Sequence, residues 1–194
     1  MDREYEPLPI RELDAAARLR RPTHVQATRV TLDSPALQVM TDLARVSPAT
    51  IRPQAPLAGA NQFMITRGVR LLLVADEHDA ILGVITATDL LGERPMQVAT
   101  GRGLRRDELS VADVMTPAAQ VDVLALADVE GARVGHALET LRRLGRQHAL
   151  VVDAENMVRG IFSISQIARQ LGVAPPPGGE VARTFSEIEA ALVR

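Results

Sequence analysis

The sequence GVRLLLVADEHDAILGVITATD at residues 68–89 returns as GRQHALVVDAENMVRGIFSISQ at residues 145–166, at a constant offset of 77 positions. Most apolar positions stay apolar between the two segments, and several glycine, aspartate and hydroxyl positions are kept. The equivalent pairs are Gly68 and Gly145, Asp76 and Asp153, Gly83 and Gly160, and Thr86 and Ser163. An ungapped match of this length predicts an internal duplication.

Upstream of these segments the offset changes. Ser47-Pro48 aligns with Thr116-Pro117 at an offset of 69. This alignment predicts eight additional residues in the second repeat, between Val121 and Val134. Its acidic members are Asp122, Asp128 and Glu130.

Within each repeat, hydrophobic periodicity predicts the order strand, helix, strand, strand, helix. The first strands are expected at 49–51 and 120–123, and the central strand pairs at 69–75 with 81–86 and at 148–152 with 157–163. The first helices have apolar stripes with a spacing of three to four residues, which are Leu57, Ala60 and Met64, and Val134, Ala137, Leu138, Leu141 and Leu144. Gly68 and Gly145 are expected to end these helices in the left-handed conformation. The fold class is therefore mixed α+β, with two βαββα units that pack together because neither buries enough surface alone.

Four segments follow from this pattern. They are an N-terminal arm at 1–40, a first repeat at 41–100, a second repeat at 108–172, and a C-terminal segment at 173–194. The arm contains an expected short basic helix at 10–21, and the C-terminal segment opens with a Pro/Gly linker at 175–179. Thr184 and Glu187 form an expected capping box at the start of a last helix. Its stripe of Phe185, Ile188 and Leu192 is expected to dock on the body of the protein or on a second subunit.

Composition excludes several classes of chemistry. The chain has no cysteine, so a thiolate zinc site and a cysteine nucleophile are excluded. All 22 basic residues are arginine, so a lysine Schiff base is excluded as well. A net charge of -2 and an aromatic content of 2% argue against nucleic-acid binding.

The chain is also expected to have no membrane contact and to be cytoplasmic. No apolar run approaches the ~20 residues that a membrane-spanning helix needs. The acidic start at residues 1–6 lacks the basic region of a secretory signal.

No catalytic constellation emerges. His24, His78, His136 and His148 lack the spacing of metal ligands, and no serine stands in a nucleophile elbow. The sequence therefore predicts a protein that is not an enzyme. The glycine-interleaved arginines at 102–106 are interpreted as a linker between the repeats.

Three segments together resemble the CBS domain pair, or Bateman module, over residues of about 41–172. Asp113-Val114-Met115-Thr116-Pro117 is similar to the start of a CBS motif. Gly83-Val84-Ile85-Thr86-Ala87-Thr88-Asp89 resembles the family pattern of Gly, apolar, any, Thr or Ser, two of any kind, then Asp. Residues 146–153 are similar to the middle strand of the family.

This resemblance implies a regulatory module with no required cofactor, which binds AMP, ADP, ATP or S-adenosylmethionine in a cleft between repeats. Thr86 would hold a phosphate, Asp89 would accept from both ribose hydroxyls, and Thr88 occupies a neighbouring position that is often basic in the family. By resemblance the adenine would lie near Thr50, Ile51, Arg70, Leu71 and Leu72. In the second repeat, Ser163 and Gln166 imply a degenerate site, since an amide replaces the ribose carboxylate.

Two alternatives remain open from sequence. Thr86 and Asp89 also fit a helix capping box, and Ser163 with Gln166 fits the same role. The whole chain is then either a nucleotide sensor that modulates an unknown protein partner, or a ligand-free structural and dimerisation module. Both hypotheses predict a homodimer, because the helices carry more apolar surface than one small body covers.

Overall fold

In a computed structural model, residues 30–173 and 181–192 are described. The expected helix at 10–21 and the linker at 175–179 lie outside the described residues. The strands are β1 (Thr41–Asp42), β2 (Thr50–Ile51), β3 (Leu71–Ala75), β4 (Ile81–Thr86), β5 (Thr116–Pro117), β6 (Val123–Ala125), β7 (His148–Val152) and β8 (Val158–Ser163). The helices are α1 (Leu57–Arg67), α2 (Ala87–Leu91), α3 (Arg94–Arg102), α4 (Val111–Val114), α5 (Leu126–Glu130), α6 (Val134–Leu144), α7 (Ile164–Gln170) and α8 (Val181–Leu192).

The strands form two four-stranded sheets, and each repeat lends its leading strand to the other. The first sheet has the order β2-β3-β4-β5 and the second has the order β1-β8-β7-β6. Thr41 of β1 pairs with Ile161 in the second repeat, and Thr116 of β5 pairs with Val84 in the first. This reciprocal exchange joins the repeats through backbone hydrogen bonds.

The exchange shows that the upstream alignment at offset 69 is wrong. Thr41, and not Ser47, is the structural equivalent of Thr116, because Val84 and Ile161 are themselves equivalent at offset 77. The sequence carries a matching signal, since Val39-Met40-Thr41 repeats as Val114-Met115-Thr116. With this alignment the offset is 75, so most of the predicted eight-residue insertion is not present. The second repeat gains only a longer connection between β6 and α6, which forms the short helix α5.

The ends of α1 and α6 follow the sequence, and two other local predictions are wrong. Gly68 and Gly145 end α1 and α6 in the left-handed conformation, with φ of 65° and 60°. Leu144 is partly exposed and does not join the buried stripe of α6. The strand predicted at 120–123 begins instead at Val123, since Gln120 ends a 3-10 turn that follows Pro117.

The last helix docks on the second repeat. Helix α8 begins at Val181, so Thr184 is a buried residue inside the helix and the expected capping box is wrong. Phe185 and Ile188 are buried in the core cluster that also contains Phe162 and Ile167. The prediction that this stripe docks on the body is confirmed, while the side chain of Leu192 lies outside the described residues.

Both faces of β3 are buried. Leu72 and Val74 join a core with α1, whereas Leu71 and Leu73 face a second cluster that includes Leu150 of the other sheet. Alternating sides of one strand thus serve the core of one repeat and the seam between repeats. The helices within 30–173 and 181–192 are all too short or too polar to cross a bilayer.

Two equivalent glycines permit the strand exchange. A Cβ at Gly83 would overlap the backbone carbonyl oxygen of Thr116, and one at Gly160 would overlap the side chain of Met40. Both glycines therefore lie where the leading strand of the opposite repeat crosses. The obstacle is rigid backbone at Gly83 and a flexible thioether at Gly160.

This difference predicts unequal costs for the same substitution. Gly83→Ala is expected to lower the free energy of unfolding by about 2 to 3 kcal/mol, because β5 has to shift. Gly160→Ala is expected to cost about 1 kcal/mol, because Met40 can change rotamer. Urea denaturation of the two variants measures the difference. Equal losses would contradict the role of the Thr116 carbonyl.

Candidate functional site

The seam between the repeats opens into two clefts that share a wall. Leu71 of β3 and His148 of β7 line both clefts. These two residues are equivalent at offset 77, so the pseudo-twofold axis that relates the repeats passes through the shared wall. We call the cleft bordered by Ser163 and Gln166 the large cleft, and the cleft bordered by Thr86 and Asp89 the small cleft.

The large cleft has a volume of about 750 Å³. The loop between β1 and β2 forms one side, and the β8–α7 junction forms the other. Its apolar lining consists of Leu43, Val46, Pro48, Ala49, Val69, Leu71 and Ile161. Its cationic lining consists of Arg67, Arg70 and Arg169.

The small cleft has a volume of about 190 Å³. In it, the Asp89 carboxylate accepts hydrogen bonds from the backbone N–H of Thr86 at 2.8 Å and from its hydroxyl at 2.7 Å. The Thr86 hydroxyl in turn accepts from the Asp89 N–H at 3.2 Å, which completes a capping box at the start of α2. Arg94 donates to the other Asp89 oxygen at 3.3 Å. Three donors therefore already occupy the carboxylate.

The second repeat does not repeat this cap. Ser163 makes no capping hydrogen bond, and the side-chain amide oxygen (Oε1) of Gln166 accepts from the Thr41 hydroxyl at 2.9 Å. The expectation that Ser163 and Gln166 form a capping pair is therefore wrong. Gln has a side chain one methylene longer than Asp, and here it reaches the exchanged strand β1 instead of its own helix start.

The residues predicted for one nucleotide site are distributed over different places. Leu71, Thr86, Thr88 and Asp89 line the small cleft, while Arg70 lines the large one. Thr50, Ile51 and Leu72 line neither of the two clefts, and Leu72 is fully buried in the first core. The strand exchange is the reason, because it brings the 41–49 segment next to the second repeat and not next to Thr86.

His148 is half-buried, and its Nδ1 is enclosed without a hydrogen-bond partner in the part of the chain that is described. Desolvation by burial, followed by the positive charge of Arg70, lowers the pKa of His148 from 6.5 to about 4. The negative charge of Asp89, in the small cleft, raises the pKa of His148 by a smaller amount. The imidazole is therefore neutral at pH 7 and adds no charge to either cleft.

The model of the CBS domain matches residues 38–95 and 111–172, which together make up more than half of the chain. The chain belongs to the CBS domain family. The resemblance and the α+β fold inferred from the repeats are thereby confirmed. No curated protein sequence gives a significant match.

Several solved structures share this fold at low sequence identity. An uncharacterized conserved protein from Pyrococcus horikoshii is 19% identical, with a TM-score of 0.54 over 72% of this chain and 93% of that chain. CBSX2 from Arabidopsis thaliana, solved in complex with AMP, is 21% identical, with a TM-score of 0.52 over 70% and 94%. The CBS domain pair of protein MJ0100, in complex with 5'-methylthioadenosine and S-adenosyl-L-methionine, is 21% identical, with a TM-score of 0.51 over 74% and 97%. At these identities the likeness establishes the fold and not the ligand.

Three arginines in or beside the clefts of this CBS pair were not predicted from the sequence. Arg94 supplies the cation beside Asp89 from five positions further along the chain, whereas the family resemblance places a basic residue at position 88. Arg67 and Arg169 lie on α1 and α7, and both line the large cleft. The shared motif of Val39-Met40-Thr41 was the one sequence signal that pointed to the correct neighbour of Gln166.

Within the described residues, no group of three or more His, Asp or Glu side chains is arranged to hold a metal ion. Asp89 and Asp122 both line the small cleft, but Arg94 already pairs with the first of them. The chemistry of the two clefts is therefore that of hydrogen bonding, apolar contact and positive charge.

The buried imidazole predicts a pH dependence of stability. The unfolded state takes up a proton near pH 6.5, whereas folded His148 takes it up only near pH 4, so the stability present above pH 6.5 is lost as pH falls through this window. From pH 7 to pH 5 this loss is on the order of 2 kcal/mol. His148→Leu, which installs the residue of the equivalent position Leu71, should flatten that slope in urea denaturation.

His78→Gln is the matched control, since His78 is exposed in the β3–β4 turn and the buried imidazole at 148 is retained. If the stability of His148→Leu fell with pH as steeply as that of the wild type, another titrating group would be responsible for the loss of stability in acid.

The capping box predicts a separate stability effect. Asp89→Ala removes both hydrogen bonds to Thr86 and should lower the free energy of unfolding by about 1 kcal/mol. The partly exposed contact with Arg94 adds little. Asp89→Asn, which keeps an acceptor, should lose less. Unchanged urea midpoints in Asp89→Ala would contradict the capping role.

Proposed function

We propose that this CBS pair is a regulatory module that binds an adenosine-containing ligand in the large cleft. The observation that carries the proposal is the difference in size between the clefts. Pockets for small molecules commonly have volumes of about 300 to 1,000 Å³. The large cleft, at about 750 Å³, falls within that range, whereas the small cleft, at about 190 Å³, falls below it.

This proposal moves the ligand away from the cleft that the sequence favoured. Asp89 was expected to accept from a ribose, but its carboxylate is engaged by Thr86 and Arg94. A ribose there would have to displace one of these donors and widen the cleft. The small cleft is better explained as a closed junction stabilised by the helix cap.

The lining of the large cleft suits the parts of an adenosine. Leu43, Val69 and Ile161 belong to its apolar part, which is suited to the base. The Oε1 of Gln166 already accepts from Thr41, and its amide nitrogen can donate to a ribose hydroxyl. The hydroxyls of Ser163 and Ser165 lie at the same side of the cleft.

The solved neighbours support the choice of adenosine as the common group. CBSX2 is in complex with AMP, and the MJ0100 pair is in complex with 5'-methylthioadenosine and S-adenosyl-L-methionine. All three ligands contain adenosine. We carry only this shared group over to the chain, and we assign the module a binding and not a catalytic role.

A ligand in the large cleft would contact both repeats. The 43–49 segment comes from the first repeat, and Ser163 to Arg169 come from the second. Binding energy that is gained only when both sides are in place favours one relative arrangement of the repeats. A partner protein that prefers that arrangement would sense the ligand.

The homodimer remains a prediction. Exposed apolar side chains support it, since Ile65, Leu91 and Met96 on α1, α2 and α3 are each at least 61% exposed. Light scattering at micromolar concentration should give about twice the monomer mass of 20.9 kDa. The cytoplasmic location likewise remains a prediction.

A pair of tryptophan substitutions tests the position of the site. Val46→Trp is expected to fill the large cleft without disturbing the core, because Val46 is 49% exposed. Thr88→Trp does the same for the small cleft. In thermal-shift titrations with AMP, ADP, ATP and S-adenosylmethionine, at least one compound should raise the Tm of wild type and of Thr88→Trp but not that of Val46→Trp.

The opposite pattern would return the ligand to the Asp89 cleft. Silence of all four compounds on the wild type would favour the alternative, a ligand-free structural and dimerisation module.

A further inference from the structure

A third cavity lies within the second repeat and shares no residue with the two clefts of the seam. Its volume is about 350 Å³, which is within the range of small-molecule sites. Its floor is buried and apolar, and includes Ala36, Val129, Ala137 and Phe162. Its more exposed edge, which we call the mouth, carries the polar side chains of Asp128, His136 and Thr140.

One difference between the repeats accounts for the space. At offset 77, Phe63 is the equivalent of Thr140, and Phe63 packs against the core of the first repeat. The neighbouring equivalent positions do not differ in size, since Ala60 and Ala137 are both buried alanines. Thr140 is much smaller than a phenylalanine, so the second repeat leaves open the volume that an aromatic ring fills in the first.

The connection between β6 and α6 places a carboxylate at the mouth. In the first repeat residues 52–56 join the strand to the helix, whereas the second repeat uses residues 126–133 and forms α5. Asp128 lies in α5, and none of the described residues donates a hydrogen bond to its side chain or forms an ion pair with it. It is also the only Asp, Glu or Arg among the described residues that line the cavity. The mouth therefore carries one negative charge that the polypeptide does not pair.

The other two polar side chains of the mouth are oriented by hydrogen bonds. The Nδ1 atom of His136 accepts from the backbone N–H of Arg133 at 3.0 Å, which leaves Nε2 of the imidazole as a donor. The Thr140 hydroxyl donates to the His136 carbonyl oxygen at 2.8 Å, which leaves its own oxygen as an acceptor. The mouth therefore offers acceptors at Asp128 and Thr140 and a donor at His136.

We propose that this cavity binds small apolar amines, with the aromatic or hydrocarbon body against Phe162 and the ammonium group at Asp128. The site goes beyond the proposed function, since it lies outside the large cleft. Burial of the apolar body supplies most of the affinity, and apolar cavities accept a single aromatic ring. The charge of Asp128 then selects the head group, because it attracts an ammonium and repels a carboxylate.

Three probes with the same ring and different head groups test this class of ligand. They are phenethylamine, phenethyl alcohol and phenylacetate, and their binding to the full chain is followed by amide NMR. Because Asp128 is exposed, we expect the amine to bind about two- to fivefold more tightly than the alcohol, and phenylacetate to bind most weakly. Added salt should reduce the difference between the amine and the alcohol. The amide signals that shift should include those of Ala132, Ala137 and Phe162.

Two substitutions address the two parts of the site. Thr140→Phe introduces the residue type of the equivalent position 63 and should fill the cavity, so all three probes should lose at least about tenfold in affinity. Asp128→Asn keeps the size of the side chain and removes its charge. The amine should then weaken to the affinity of the alcohol, and the alcohol should change less than about twofold. Val46→Trp, which fills the large cleft, is the control and should leave the binding of all three probes unchanged.

The outcomes separate this inference from the proposed function. Equal affinities of the amine and phenylacetate, or an amine affinity that Asp128→Asn leaves unchanged, would overturn the selection of an ammonium group. Probe binding that persists in folded Thr140→Phe, or that is lost in Val46→Trp, would overturn the position of the site. Should Thr140→Phe fail to fold, Asp128→Asn and the set of shifted amide signals still decide the proposal. Absence of binding by all three probes would overturn it and leave the adenosine site, which is tested with other compounds, unaffected.

Discussion

The structure depends on the reciprocal exchange of leading strands between the two repeats. Strand β1 completes the sheet of the second repeat, and β5 completes the sheet of the first. Edge strands of a small sheet need partners, and the exchange supplies them by backbone hydrogen bonds that neither repeat could make alone. Gly83 and Gly160 make room for it, since a side chain at either position would overlap the crossing segment.

The exchange also creates the clefts and decides which residues meet there. Because β1 belongs to the second sheet, the loop that follows it covers the β8–α7 junction and encloses the large cleft. Thr116 of β5 is carried to the first sheet in the same way, where its hydroxyl contacts Arg94 at 3.3 Å beside Asp89. Each cleft is therefore built from both repeats, and neither repeat contains a complete one.

Local features could be predicted from the sequence, and contacts between distant segments could not. The glycines that end α1 and α6 and the central strands follow from local patterns, and the duplication follows from matching one continuous segment with another; the structure has all three. The partner of Gln166 is Thr41, which lies 125 positions away, and a strand only two residues long gives too little pattern to reveal that pairing. The predicted nucleotide site failed for the same reason. Arg70 and Asp89 were assigned to one site from their positions in the repeat, but they line different clefts in the structure.

The two equivalent clefts differ because a helix cap and a ligand compete for the same carboxylate lone pairs. A carboxylate at the start of the second helix of a repeat can cap that helix or accept from a ligand, and in the first repeat Thr86 and Arg94 occupy it. The first repeat thereby gains stability without any ligand, and its cleft stays narrow. In the second repeat the helix start has no side-chain cap, and Gln166 turns toward the exchanged strand. That junction lacks the stability of a side-chain cap, and the cleft beside it is about four times the volume of the other.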